Sequence, residues 1–344
     1  MAQRSDGGAT GGWGVSRQSD DRRAVVLRAL IDHPAGVSGE ALATDLGVSR
    51  VAVRKHVAAL REQGYGIEAR AGEGYRLLSR PDAPLPLEVL PRLTEPFYVR
   101  LEGDHVVDST NNDARELATT GQPEGTVVLA GEQRAGRGRL GRAWASPLGG
   151  VYASIVLRPE VETPEGIVLP LVVGVGVAEA LESFGVEARL KWPNDVLVPD
   201  GRKLAGILCE GMSEGWRVVW VIAGIGVNVA VASPAPGSVS MDELLGRHVL
   251  LADVAAAVLD GVARAYLRWK SEGFAGLAVE YERRAWLAGR EVTISDAMGR
   301  SLVSGQVQGI DAQGRLLVAS PTGVVPVAAG DVTLRRDGAG EAGS

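Results

Sequence analysis

The sequence predicts an α+β protein in three parts: a small helical head closed by a β-hairpin, a central α/β body with a mixed sheet, and a short all-β barrel. Three observations carry this. Helical periodicity dominates residues 20–80, strand-like and helical runs mix between 98 and 287, and after Gly289 only short strands separated by Gly and Asp turns remain. At 344 residues and 45% hydrophobic composition, the chain is long enough to bury more than one core.

In the head, Val26, Leu27, Leu30 and Ile31 share one side of a helix that starts near Asp20 and ends near Pro34 and Gly36. Ser38 can cap a second helix through Leu42 and Leu46, closed by Gly47. Ser49 can cap a third, whose Val53, Val57 and Leu60 form one face and leave Arg50, Arg54 and Lys55 outward. Two short strands, 66–69 and 75–78, flank the turn Ala71-Gly72-Glu73-Gly74. Three helices and a hairpin make a winged helix-turn-helix. Residues 21–80 hold ten Lys or Arg against seven Asp or Glu, a balance of +3 within a chain of net charge −6, so the remainder is −9. The net charge argues against nonspecific polyanion binding by the whole molecule and says nothing about a local patch, and the basic excess falls where a DNA-binding head would sit.

Five prolines between Arg80 and Pro96 predict a stiff linker over 81–97 with a short helix inside it. The body, 98–287, carries strand-like runs at 126–130, 151–157 and 218–223 and helical runs at 111–120, 166–184 and 252–286. The barrel, 288–336, carries strands at 291–294, 302–310, 316–319 and 324–327. Residues 1–19 and 337–344 are polar and Gly-rich without periodicity, which predicts disordered ends.

A single cysteine, Cys209, excludes an internal disulfide framework, and its apolar surroundings predict a buried thiol. The apolar runs 166–181 and 218–232 fall short of the ~20 residues that span a bilayer, and the start has no continuous apolar core. A cytoplasmic protein without a membrane association is expected.

Gly136-Arg137-Gly138-Arg139-Leu140-Gly141 matches the G-x-G-x-x-G pattern of dinucleotide-binding folds. That version needs a strand running straight into the first glycine and a helix opening on the third. Here Glu132-Gln133-Arg134-Ala135 intervenes, and Trp144, Pro147 and Gly149-Gly150 follow where the helix should be. What the loop offers is two guanidiniums on a pliable glycine backbone, suited to phosphate or carboxylate oxygens. A second pair, Gly174-Val175-Gly176, sits in a run that reads as a buried helix. Lys191-Trp192-Pro193-Asn194-Asp195 ends a strand in a proline turn, and a hairpin would bring Lys203 of Lys203-Leu204-Ala205-Gly206 back beside it. Ser109-Thr110-Asn111-Asn112 sets hydroxyls and amides at a strand-to-helix junction, as ligand groups or as a helix cap. Ala223-Gly224-Ile225-Gly226-Val227-Asn228 ends a strand with two glycines, where a ligand could approach the backbone.

Ser109-Thr110-Asn111, Glu132-Gln133 with Ala135-Gly136-Arg137-Gly138-Arg139, Lys191-Trp192-Pro193-Asn194-Asp195, Lys203-Leu204-Ala205-Gly206 and Gly226-Val227-Asn228 occur in the order and spacing of biotin protein ligases, and from about Arg22 to Arg335 the chain resembles the bifunctional ligases that are also biotin-operon repressors. The resemblance implies a ligase body of the biotin/lipoate ligase type and an SH3-like barrel. It implies that biotin and ATP, with Mg²⁺, give biotinyl-adenylate, and that the biotinyl group passes to one lysine of a carboxylase's biotin carboxyl carrier domain. Arg137, Arg139 and Lys203 would neutralise charge as a carboxylate attacks a phosphate. Asp195 would hold Mg²⁺ or orient the incoming lysine. Ser109, Thr110, Asn111 and Gln133 would hold the biotin head, Trp144 would pack near the adenylate and Asn228 near the nucleotide, and Gly136, Gly138, Gly206 and Gly224 would complete the pocket. Ser49, Arg50, Arg54 and Lys55 would meet operator DNA, with Arg70 and Arg76 flanking the wing, and the adenylate-bound form would be a homodimer. Leu140, where a further arginine is expected, and the Pro- and Ser-rich loop 231–239 depart from the pattern. The alternatives are a ligase whose head is only structural and a biotin-sensing transcription factor that does not ligate.

Overall fold

Ser38 and Ser49 hold extended backbone, and each accepts the amide of the residue three positions on, Ala41 at 3.0 Å and Ala52 at 3.2 Å. These two caps set the starts of helices in a computed structural model that describes residues 17–70 and 73–334. Of the expected disordered start, residues 1–19, the last three are the first turn of a helix that begins at Arg17, and the rest of it, the tail 337–344 and Ala71-Gly72 of the wing turn lie outside the described residues.

The chain divides into two units between Pro81 and Asp82. The first holds α1 (Arg17–Asp32), α2 (Gly39–Leu46), α3 (Arg50–Glu62) and the hairpin β1 (Gly66–Arg70) and β2 (Gly74–Ser79). Gly47 closes α2 at φ 60°, a left-handed conformation that costs glycine little. Val26, Leu30, Leu42, Val53, Val57 and Leu60 are fully or almost fully buried, which draws the three helices onto one core. Tyr75 and Val37 exchange backbone hydrogen bonds at 2.9 and 2.8 Å and tie the hairpin to the turn before α2.

In the second unit the expected linker is packed structure from Asp82 onward. Ala83, Leu85 and Val89 are buried around α4 (Pro86–Val89), Arg92 pairs with Asp253, and buried Asp260 accepts from Thr94 and Glu95. Prolines read as a stiff spacer instead shape a strap against a long helix.

The central sheet runs in the order β3-β4-β5-β9-β8-β7-β6, with β3 (Arg100–Val107) and β4 (Thr126–Gln133) parallel and every other pair antiparallel. Its other strands are β5 (Gly150–Leu157), β6 (Arg189–Lys191), β7 (Asp195–Leu197), β8 (Lys203–Glu214) and β9 (Arg217–Asn228). Strand alternation sends Val127, Leu129, Ile155 and Ile225 to the face covered by α7 (Leu169–Glu182) and α9 (Leu251–Glu272). Val128, Val156, Trp220 and Ile222 meet Ala114 and Ala118 of α5 (Thr110–Thr119) on the other face. Of the short helices α6 (Thr163–Gly166), α8 (Met241–Leu245) and α10 (Ala278–Arg284), α8 and α10 join the α7 and α9 side of the core through Met241 and Tyr281.

The helical stretch from Thr163 to Glu182 is 20 residues, longer than the apolar run read from the sequence, and by length and composition it could cross a membrane. Its residues are largely buried, with α7 pressed onto α9 through a glycine pair. A Cβ on Gly176 would stand 2.5 Å from the Gly261 carbonyl oxygen, and one on Gly261 2.3 Å from that of Gly176. The Gly174-Val175-Gly176 pair therefore serves helix packing.

After Gly289, β10 (Glu291–Ser295), β11 (Ser301–Ile310), β12 (Leu316–Ser320), β13 (Gly323–Val327) and β14 (Asp331–Leu334) form one antiparallel sheet in the order β13-β12-β11-β10-β14. The last strand was absent from the sequence reading because its four residues carry no apolar run. It brings Asp331 to the central domain.

Candidate functional site

The loop 134–149 is not a strand-turn-helix. It is an excursion between the antiparallel strands β4 and β5, folded back on itself by an Arg137–Ala143 bridge and hydrogen bonds from Gly138 N to Arg142 O at 2.7 Å and Trp144 N to Gly136 O at 2.9 Å. Leu140 at its tip is left-handed, φ 55°, and exposed. No helix opens at Gly141, so the dinucleotide geometry is absent.

The excursion closes one side of a cavity of about 610 Å³, a size that suits a small molecule. Ser109, Thr110, Asn111, Gln133, Gly136, Arg137, Gly138, Arg139, Trp144, Asp195, Lys203, Gly206 and Gly224 all line it. Asn228 does not. It is buried at the end of β9, and its Nδ2 donates to the carbonyls of Lys203 at 3.3 Å and Val239 at 3.1 Å. The expected nucleotide contact is thus a fastening of the loop 231–239, whose Gly237 carbonyl accepts from Lys203 N at 2.6 Å. Four residues of that loop, Ser233, Ala235, Pro236 and Ser238, reach the cavity.

At the polar end, Gln133 Oε1 accepts from Thr110 N at 2.9 Å and Thr110 Oγ1 at 3.0 Å, while its Nε2 donates to Ser146 Oγ at 2.9 Å. Ser154 Oγ donates to Asn111 Oδ1 at 2.6 Å, and Asn111 Nδ2 donates to Glu210 Oε2 at 2.8 Å. Ser109 occupies the N-cap position of α5 but makes no capping side-chain bond, so its buried hydroxyl is left facing the cavity. Gly224 sits within β9 rather than at its end, and its missing side chain is what admits Asn111. A Cβ there would lie 2.0 Å from Asn111 Oδ1.

Trp144 lies over Gly206 and Gly226, where Cβ atoms would approach the indole to 3.0 and 2.6 Å. In this arrangement the glycines accommodate a protein side chain, where the sequence suggested a ligand. The indole Nε1 is buried without a hydrogen-bond partner, and Lys203 Nζ stands 4.9 Å from the ring centroid.

The cations are held in different ways. Arg137 Nη2 donates to Asn112 Oδ1 at 2.8 Å and Glu210 Oε2 at 3.0 Å, and Arg139 donates to Asn194 Oδ1 at 3.3 Å and the Gly330 carbonyl at 3.2 Å. Burial pulls the Arg139 guanidinium below its usual pKa, opposed by Asp331 and Asp195, and it stays charged. Arg142 pairs with Asp331. Lys203 Nζ donates to Asp195 Oδ1 at 2.5 Å, as the predicted hairpin requires. Cys209 offers no nucleophile, since burial pushes its thiol up to about 12. Among the described residues no group of three or more His, Cys, Asp or Glu stands ready to hold a metal, and Asp195 and Asp331 are each spent on cations.

Sequence reasoning missed Glu210, Ser154, Ser146 and Asp331, and it marked Asn194 only as part of the Lys191–Asp195 turn. Glu210 is a charged residue in a strand whose first half is largely apolar, the one signal that could have marked it.

In the head, Ser49, Arg50, Arg54 and Lys55 are exposed along the start of α3, although Ser49 spends an oxygen lone pair on the cap. Arg70, expected beside the wing, is paired with Glu68 at 2.8 Å and Glu73 at 3.3 Å, while Arg61 donates to the Ile67 carbonyl.

Family models match all three parts: an HTH domain at 22–76, the biotin/lipoate A/B protein ligase family at 103–228, and the biotin protein ligase C terminal domain at 288–335. The bifunctional ligase/repressor BirA of Bacillus subtilis is 34% identical over 307 residues, covering 87% of this chain and 94% of the relative. The Escherichia coli protein of the same name is 33% identical over 333 residues, covering 92% and 98%. The solved biotin protein ligase from Aquifex aeolicus in complex with biotin and ATP superposes with a TM-score of 0.59 at 29% identity, covering 71% of this chain and all of that one. Relatedness along nearly the whole length, head included, places this chain in the bifunctional ligase/repressor branch of the biotin/lipoate A/B protein ligase family.

Proposed function

We propose that the chain joins biotin to ATP to form biotinyl-5′-AMP and pyrophosphate, then passes the biotinyl group to a lysine of a biotin carboxyl carrier domain. The observation that carries this reading is the convergence of Arg137, Arg139 and Lys203 on the cavity that also holds the hydroxyl and amide set of Ser109, Thr110, Asn111 and Gln133. The polar set suits a neutral, hydrogen-bonding ring head, and the three cations suit a carboxylate meeting a phosphate. Neither step needs a protein nucleophile. Asp195 is paired with Lys203, and Mg²⁺ would accompany the triphosphate and offset its charge. Residues 98–287 form the ligase body, with 288–336 as an SH3-like barrel whose Asp331 steadies the arginine loop. Biotin-dependent exchange of labelled pyrophosphate into ATP tests the first half, and its absence with folded protein rejects the ligase.

The head supports a second role in the same molecule, repression of biotin genes with biotinyl-AMP as corepressor and a homodimer as the DNA-bound form. The basic, exposed start of α3 favours it over a structural head, because Arg50, Arg54 and Lys55 project to solvent rather than into the head's core. An operator-shift assay on biotin-gene promoters, with and without biotin and ATP, tests this half.

A further inference from the structure

We propose that Glu210 is a positioning residue that aims the Arg137 guanidinium at the reacting carboxylate, an inference that rests on the ligase reading above. Glu210 stands on β8, outside every motif that marks the site. Its Oε2 accepts from Arg137 Nη2 at 3.0 Å and from Asn111 Nδ2 at 2.8 Å, and its Oε1 accepts from Arg115 Nη2 at 2.8 Å. One carboxylate therefore ties the amide at the polar end of the cavity to the guanidinium of the loop.

Two features separate this from an ordinary ion pair. First, Arg137 has five N–H donors, and the bonds to Glu210 and to Asn112 at 2.8 Å use only those on Nη2. Its Nε–H is buried without a partner, a donor kept out of water and unspent. Second, Arg115 shares the carboxylate, so two guanidiniums face one negative charge and the group keeps a net charge of +1. Glu210 fixes the direction of Arg137 without cancelling its charge. A planar fork held at one nitrogen presents the others at a set angle, which is how an arginine discriminates a carboxylate from a neutral group.

The test compares binding of biotin with binding of its alcohol analogue, in which CH₂OH replaces the carboxylate, by calorimetry on the full chain. The wild type should prefer biotin, and Glu210→Gln, which keeps the shape and removes the charge, should narrow that preference by about tenfold. A merely structural role would weaken both ligands equally and leave the ratio unchanged, which overturns the proposal. In pyrophosphate exchange, Glu210→Gln should lower kcat/KM for biotin while KM for ATP stays within about twofold, and in an Arg137→Lys background the same change should cost little, since lysine has no fork to aim. Multiplicative losses in that double variant also overturn it. Should Glu210→Gln not fold, Asn112→Ala removes the other Nη2 acceptor from an exposed position and should narrow the biotin preference in part, with an unchanged ratio counting against the proposal. If the wild type neither binds biotin nor exchanges pyrophosphate, the ligase reading fails instead.

Discussion

Lys203 Nζ lies 2.5 Å from Asp195 Oδ1, although the two residues are eight apart in sequence. The hairpin of β7 and β8 accounts for it. Its register sets Leu197 opposite Lys203 and Asp195 opposite Gly206, so both side chains reach the cavity mouth beside Trp144. Asp195 holds the lysine, and in the proposed reaction the lysine is the group that would meet the substrate. Lys203→Met should reduce pyrophosphate exchange by roughly 10²- to 10³-fold, the scale of losing one preorganised charge donor. Asp195→Asn keeps the cation and loses its tether, and about tenfold is expected. Equal losses in the two variants would assign chemistry to Asp195 itself.

Gly224→Ala tests the seating of Asn111. The added Cβ would stand 2.0 Å from Asn111 Oδ1, which accepts from Ser154, and displacing that amide also frees its bond to Glu210. Biotin affinity should fall by about 100-fold, with a stability loss of about 1–3 kcal/mol from overpacking. Gly211→Ala on β8 is the control, where the new Cβ would meet its neighbours at 3.3 Å. Calorimetric titration of both variants with biotin separates them.

Arg50 and Arg54 are exposed on α3, in the other of the two units from the cavity. Arg50→Ala combined with Arg54→Ala should leave pyrophosphate exchange unchanged and reduce the slope of log affinity against log salt for operator DNA by about 2, one per lost phosphate contact. An unchanged salt slope would remove these residues from the interface.

His248 sits between two carboxylates, with Nδ1 2.7 Å from Asp242 Oδ2 and Nε2 2.8 Å from Asp82 Oδ2. The hydrogen bond to Asp242, and then that to Asp82, raise its pKa above the usual value. A raised folded-state pKa contributes stability that is fully present below the unfolded value near ~6.5 and is lost as pH rises through the folded value. Thermal unfolding of the wild type should therefore lose more between pH 6 and pH 9 than that of His248→Asn. The pair is exposed, so the difference should stay under about 1 kcal/mol. Identical pH profiles would show that the clasp contributes nothing.

The elements were legible where one local force decides them. Ser38, Ser49 and Gly47 bound their helices as caps do anywhere, and short, nearly continuous apolar runs marked β5 and β9 without tertiary information. The packed strap from Asp82 was not legible, because proline composition reports stiffness and not what a segment rests on. The strand Asp331–Leu334 was missed because its pairing with β10 is backbone hydrogen bonding that its side chains do not announce.

The sequence by itself determined the order of parts, with a basic helical head first, and marked groups that meet at the site: a glycine-arginine loop, the Lys191–Asp195 turn and Lys203. Those follow from residue type and spacing, which act locally or through a single hairpin. Only the tertiary structure decided what each group does there. Asn228 turned from ligand contact to loop fastening, the glycines of β8 and β9 became seats for Trp144 and Asn111, and Glu210 emerged as the anchor of Arg137. Such roles depend on which side chains from distant segments come within about 3 Å, and hydrogen bonds and ion pairs at that range are set by the packing of the sheet rather than by any stretch of chain.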